Sequence, residues 1–234
     1  MLTNAEIKRI KSLKDKKFRD AYGQFVVEGE KLVQEALSSS FKVLAVYRTD
    51  EIGEDAMSRM TQLNSPSPVL AVVQKPAARG LVLERGLYLG LDSVRDPGNM
   101  GTILRLADWF GISTVFASQD CVEVFNPKVV QASMGSVFRV ETVFCDLEQI
   151  CHRFRTMDMA VYGTFLDGKN IYSQTLADEG IIIMGNEASG VSDAVASQVS
   201  TRLLIPSFAG QRRTAESLNV ATATAIVLSE FRRR

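Results

Sequence analysis

At 234 residues, 46% hydrophobic and 23% charged, the chain has the composition of one large globular domain or two small ones. Its 27 basic residues balance 27 acidic ones, which excludes a protein coated in surplus positive charge for nucleic acid. No apolar run is long enough to cross a bilayer, and three cysteines at unrelated spacings (121, 145, 151) form neither a disulfide set nor a metal pattern.

The polar opening MLTNAEIKRIK does not read as a signal peptide, so a cytoplasmic protein with no membrane partner is expected. Apolar periodicity predicts a helix over 4–16, a strand over 24–29, a helix over 30–39, a strand over 41–49, a helix over 54–63 and a strand over 68–74. The Pro/Gly break KPAARG (75–80) then interrupts the pattern. We take 1–76 as a small first domain, 77–85 as a linker and 86–234 as a larger second domain. In the latter, strands are predicted at 87–92, 113–118, 139–144, 159–164, 180–185 and 201–205, and helices at 100–110, 126–134, 146–156, 190–198 and 216–231. This alternation implies an α/β fold with a mainly parallel sheet covered on both faces. Ligands on such sheets bind at the carboxyl ends of strands, so the loops after 92, 184 and 205 are where chemistry is expected.

Charge is unevenly spread. Residues 1–19 carry seven Lys or Arg, including Lys14, Lys16, Lys17 and Arg19, against Glu6 and Asp15. This patch is either a solvated helix face or a docking surface for RNA.

Several chemistries are excluded by what is missing. The one histidine, His152, adjoins Cys151 in a predicted helix, where neighbours point apart, so neither a Cys/His pair nor a His-based triad is available. GTFLDGKN (163–170) approaches a phosphate loop, but Asn170 stands where a magnesium-binding hydroxyl is needed; a strand ending in an Asp-Gly turn accounts for it.

Three segments remain. DPGNMGTILRLADWFG (96–111) reads as a tight glycine turn carrying Asn99, followed by a helix with Arg105 about 1.7 turns on, set in an apolar run. An arginine on a buried side requires an anion, either a carboxylate of the protein or a ligand phosphate. IIIMGNEASGVSD (181–193) places Glu187 beside Gly185 at a strand's end, as a site residue or as a helix-start acid favoured by the dipole. In LLIPSFAGQRRTAESLNVATATA (203–225), Ser217 and Asn219 open a small-residue helix, with Ser217 either a pocket residue or an N-cap.

In this order, together with NPKVVQASMGSVFRV (126–140), these motifs resemble the SpoU or TrmH-like branch of the SPOUT RNA methyltransferases, over about residues 87–230. The first part resembles the small L30e-like RNA-binding domain often found ahead of it. The resemblance implies a deep carboxyl-terminal trefoil knot, S-adenosylmethionine as methyl donor without a metal, and methyl transfer to a ribose 2′-hydroxyl. It implies RNA as partner, ribosomal RNA first, with tRNA or a catalytically idle RNA-binding role as alternatives, and a homodimer. By motif position it assigns Arg105, Asn99, Glu187, Ser217 and Asn219 to catalysis, and Gly185, Ile205, Leu218 and Thr164 to the cofactor. It points to Lys14, Lys16, Lys17 and Arg19, with Arg105, for RNA.

Proposals in the family make the arginine a general base. Lowering a guanidinium from its ordinary, strongly basic range to a pKa of about 8 costs roughly 7 kcal/mol. A role in holding phosphate and stabilising the developing alkoxide is therefore expected instead. Asn99 is expected to orient the arginine and the ribose, and Glu187 to fix the arginine or place the ligand. One departure from the pattern is the longer loop 207–216, which adds Arg212 and Arg213.

Overall fold

A computed structural model describes residues 2–77, 82–209 and 215–233 and divides into two compact units. The first starts with α1 (Asn4–Ser12), α2 (Lys16–Tyr22), β1 (Gln24–Glu28), α3 (Glu30–Leu37), β2 (Val43–Arg48), α4 (Thr49–Ile52), α5 (Glu54–Met60) and β3 (Val69–Gln74). Its three strands form an antiparallel sheet in the order β1-β3-β2. β3 reads VLAVVQ and is buried at every position but the last, as the central strand between two partners requires. Ile7, Ile10 and Leu13 of the first helix and its end pack with Val26, Met57, Met60, Leu70 and Val72.

The expected single helix over 4–16 is two helices. α1 stops at Ser12, where the N–H groups of Leu13, Lys14 and Asp15 bond three residues back in tightened turns, and α2, which periodicity did not predict, restarts after Asp15. Arg19, on α2, reaches back to the break. Only 2% exposed, it donates to Glu123 through Nε (3.0 Å) and Nη2 (2.5 Å), and to the carbonyls of Leu13 (2.9 Å) and Lys14 (2.6 Å) through Nη1. The expectation that Arg19 touches RNA is thus corrected: its donors face inward and hold the fold.

The second unit begins with β4 (Leu87–Leu91), α6 (Pro97–Trp109) and β5 (Thr114–Ala117). The chain then supplies residues 123–139, carrying α7 (Pro127–Ser133), to the first unit. There Phe125 lies 4.5 Å from Phe25 between ring centroids, and Phe138 meets Phe41 edge-on at 5.2 Å. The second unit resumes with β6 (Glu141–Phe144), α8 (Leu147–Thr156), β7 (Val161–Asn170), β8 (Gly180–Met184), α9 (Asp193–Ala196), β9 (Thr201–Leu204) and α10 (Val220–Arg232).

Its six strands run parallel in the order β6-β5-β4-β8-β7-β9, which confirms the α/β class with a parallel sheet. The order reverses between β4 and β8, which makes the carboxyl edge of that pair the switch point where such sheets hold ligands. The strand expected at 159–164 runs on to Asn170 through an irregularity at which Thr164 and Lys169 both oppose Leu203. Gly168 permits this approach, since a Cβ there would stand 2.5 Å from the Leu203 carbonyl carbon. The helix expected at 190–198 shrinks to four residues. Residues 78–81 of the expected linker, and Arg212 and Arg213 of the longer loop, lie outside the described residues.

Candidate active site

The switch point is built by the loops after β4 and β8, locked together by two groups that the sequence reading passed over. Asp92 is 4% exposed and accepts the Ser192 N–H at 2.7 Å. Asn186 donates through Nδ2 to the Ser93 carbonyl at 2.8 Å, while its Oδ1 accepts from the N–H groups of Ala188 (2.9 Å) and Ser189 (3.1 Å). The turn this makes folds back so tightly that a Cβ on Gly185 would meet the Gly190 carbonyl carbon at 2.4 Å. Gly185 is therefore required by the backbone crossing it, a stronger constraint than open approach for a ligand. An Asp closing an apolar strand and an Asn after its glycine were the available signals.

On the outer side of the same loop, Arg95 and the hydroxyls of Ser118 and Ser93 hold the Asp120 carboxyl well below the usual carboxylate range.

The segment DPGN does not form the expected tight glycine turn. Asp96 is an N-cap whose Oδ1 accepts the Asn99 N–H at 2.8 Å, Pro97 takes the first helical position, and α6 starts there. Asn99 and Arg105 consequently ride on one rigid helix. Asn99 is gripped at both ends of its amide: Nδ2 donates to Glu187 Oε1, and Oδ1 accepts from Asn219 Nδ2 at 2.9 Å. These contacts join residues 88 and 120 positions apart in sequence. The three motif segments thus converge.

The expected burial of the arginine is corrected, and of the two roles expected of Glu187, fixing the arginine or placing the ligand, the first is not seen. Arg105 is exposed, because the buried face of α6 is Met100, Gly101, Ile103, Leu104 and Ala107, and residue 105 falls off that face. Glu187 is hydrogen-bonded to Asn99 instead, and Arg105 forms no ion pair or hydrogen bond among the described residues.

Helix α10 begins at Val220, four residues later than expected, capped by Asn219, whose Oδ1 accepts from the N–H groups of Ala221 (3.0 Å) and Thr222 (3.2 Å). Ser217 is not that cap; it lies exposed two residues ahead. Of the expected cofactor contacts, Gly185 and Ile205 directly follow β8 and β9, the two neighbours of β7, on which Thr164 lies. Leu218, 48% exposed, adjoins the α10 cap. Lys14, Lys16 and Lys17 are exposed on the first unit.

Among the described residues, no group of three or more His, Cys, Asp and Glu side chains gathers as a metal-ligand set, and no helix is long and apolar enough to cross a membrane.

The profile of the SpoU rRNA Methylase family matches residues 86–229, and that of the MRM3-like substrate binding domain matches residues 4–78. A 23S rRNA guanosine 2′-O-methyltransferase of Bacillus subtilis, RlmP, is 34% identical across 98% of this chain and 96% of its own length. A TrmH-family structure from Porphyromonas gingivalis aligns over 100% of the chain and 99% of its own, with a TM-score of 0.89 and 39% identity. An AdoMet-bound rRNA methyltransferase from Sinorhizobium meliloti aligns over 100% of the chain and 96% of its own, with a TM-score of 0.86 and 31% identity. The chain belongs to the SpoU rRNA methylase family.

Proposed function

We propose that the chain transfers a methyl group from S-adenosylmethionine to a ribose 2′-hydroxyl of ribosomal RNA, a 23S guanosine being the first target to test. The observation that carries this reading is the hydrogen-bonded chain Glu187–Asn99–Asn219, assembled at the sheet's switch point with, on the same helix, a guanidinium that has no partner among the described residues.

The backbone at this edge fits a cofactor held by main-chain groups. Among the described residues, no backbone hydrogen bond engages Gly185, Ile205 or Leu218, so their N–H and C=O groups are available to a ligand. The Thr164 hydroxyl faces the Ile183 carbonyl at 3.4 Å and contributes less. Bound there, S-adenosylmethionine supplies a methyl already activated as a sulfonium.

The protein's remaining task is the other reactant, a sugar hydroxyl that must lose a proton as it attacks. That proton passes to solvent, and the Arg105 guanidinium holds the RNA phosphate and donates hydrogen bonds to the developing alkoxide. Asn99 retains one amide N–H and one oxygen lone pair beyond its two partners, enough to orient the ribose. Glu187 sets which way that amide faces, Asn219 ties it to the start of α10, and Ser217 completes the pocket's rim.

RNA docks on Lys14, Lys16 and Lys17 of the first unit, an L30e-like substrate domain. The carboxyl-terminal segment threads into a trefoil knot, a reading supported by the packing of α10 against α6, where Arg232 Nε donates to the Phe110 carbonyl at 2.9 Å. The exposed Trp109 on α6 supports a homodimer through that helix, and three free cysteines support a cytoplasmic setting.

The test is transfer of labelled methyl from S-adenosylmethionine to 23S rRNA lacking the modification, with Arg105→Ala and total tRNA as controls. Transfer to one ribose of 23S rRNA, lost in Arg105→Ala while calorimetric binding of the cofactor persists, is expected. Cofactor binding without transfer to any RNA would overturn the enzymatic reading.

A further inference from the structure

We infer that α2 is a stacking platform for an unpaired RNA nucleotide, its base on the Tyr22 and Phe18 rings and its flanking phosphates on Lys17 and Lys14. The inference deepens the proposed function and rests on RNA being the partner. The sequence KKFRDAY sets Phe18 and Tyr22 four residues apart, on one side of the helix. Their ring centroids lie 6.3 Å apart with planes only 13° from parallel, and Tyr22 is 47% exposed.

Charge beside the rings is only partly spent. Lys16 is matched by Asp20 at 2.5 Å, Asp20 also takes Lys75 at 2.7 Å, and Arg19 is turned inward to Glu123. Lys14 and Lys17 have no carboxylate partner among the described residues, and the Lys17 ammonium lies 4.8 Å from the Phe18 centroid. Asp15, also exposed, offsets one of these charges.

Arg19 anchors the helix from beneath, and Gly23, at φ 62°, turns the chain directly into β1, so the rings stand on a fixed support. A solvent-facing Tyr22 ring backed by the half-buried Phe18 ring, and flanked by ammonium groups with no carboxylate partner among the described residues, is what an unpaired base and its phosphates recognise: the base stacks in a sequence-tolerant way while the cations track the backbone. A double-stranded partner offers no free base face and does not use the rings.

The experiment measures binding of the full-length protein to a fluorescein-labelled single-stranded oligouridylate across a salt series, with methyl transfer to 23S rRNA read in parallel. Tyr22→Leu is expected to weaken binding about tenfold and Tyr22→Phe to leave it intact, which separates stacking from burial of an apolar side chain. Lys17→Ala is expected to weaken binding and to lower the salt slope by about 0.7, one released counterion on a single strand.

Wild-type affinity in Tyr22→Leu overturns the platform, as does equal loss in the Leu and Phe variants. Should Tyr22→Leu melt early, Lys14→Ala and Lys17→Ala decide: an unchanged affinity and salt slope in both overturns it. Variants that bind oligouridylate normally but lose a protein ligand reassign the face to that ligand. A wild-type protein that binds the oligonucleotide through Tyr22 but methylates no RNA leaves the platform standing and overturns the proposed function. Normal methylation in variants with normal binding overturns the platform alone.

Discussion

Asn219 does two jobs that chemistry can separate. Its Oδ1 caps α10 by accepting from two N–H groups, and its Nδ2 holds the Asn99 amide. Asn219→Ala removes both, at about 1 kcal/mol for the cap and about 1 kcal/mol net for the neutral hydrogen bond. The protein still folds, because α10 is anchored by Val227, Leu228 and Phe231, all buried. Asn219→Asp keeps the acceptor and places a carboxylate at the positive end of the helix, which compensates by about 0.3–1 kcal/mol. It has no N–H for Asn99, however, and sets a carboxylate oxygen against the Asn99 carbonyl. Urea unfolding is therefore expected to show the Ala variant about 2 kcal/mol less stable and the Asp variant within about 1 kcal/mol of wild type. Both are expected to lose about 10- to 100-fold in the rate of methyl transfer, the scale of loss when a positioning group is released. If the Asp variant transfers methyl at the wild-type rate, the Asn99–Asn219 bond has no part in the site. If its rate falls only as far as its stability does, the loss is structural and the two jobs are one.

Replacing Arg19 by Leu leaves the Glu123 carboxylate with Lys75 alone at 3.2 Å and strands the carbonyls of Leu13 and Lys14, so a loss of about 3–5 kcal/mol in urea unfolding is expected. Arg19→Lys recovers little of it, since one ammonium cannot reproduce the fork, and a fully stable Lys variant refutes the assignment. Burial pushes the Glu28 carboxyl up despite the donors Thr61 and Gln62. Its folded pKa thus exceeds the unfolded value of about 4.3, so the stability it contributes is complete below that pH and drains away as pH rises through the folded pKa. Glu28→Gln is expected to flatten this part of the pH–stability curve, and parallel curves for the two proteins count against it. Burial also pushes the Cys151 thiol up to about 12 and Cys145 up to about 11, so at pH near 8 iodoacetamide is expected to label the native protein slowly and the unfolded protein fast. Rapid labelling of folded Cys151 contradicts its burial.

Every strand of the sheet was legible, because buried parallel strands such as GIIIM and LYLGL write their burial into continuous apolar runs. Helix starts were less so. Asp96 and Asn219 act as caps from positions where the sequence offered other readings, a glycine turn in one case and Ser217 in the other. Which of several capping residues is used depends on tertiary partners: Asn219 is preferred over Ser217 where its free amide can also reach Asn99. The allocation of residues 123–139 was also hidden. The segment reads as one more strand–helix connection, and contacts such as Phe25–Phe125 and Arg19–Glu123, about a hundred residues apart in sequence, place it in the first unit.

The arginine shows how far periodicity reaches when each residue is weighed by position instead of by type. In ILRLADWF an apolar run surrounds Arg105, which suggests burial with an anion as partner, either a protein carboxylate or a ligand phosphate. On α6, however, Met100, Ile103, Leu104 and Ala107 form the buried stripe, while Thr102, Arg105 and Trp109 lie outside it. Trp109 is 84% exposed, so its hydrophobicity contributes little to this unit's core. An exposed tryptophan, and an arginine four residues away with no ion pair among the described residues, do little for the folding of the single chain. The proposed function gives each a contact beyond the single chain: a phosphate for Arg105 and an apolar surface of a second protomer for Trp109. Trp109→Glu tests the second part, since a homodimer formed through α6 then dissociates in sedimentation analysis while each protomer keeps its thermal stability. A variant that stays dimeric removes α6 from the interface and leaves the role of Arg105 to the methyl-transfer assay.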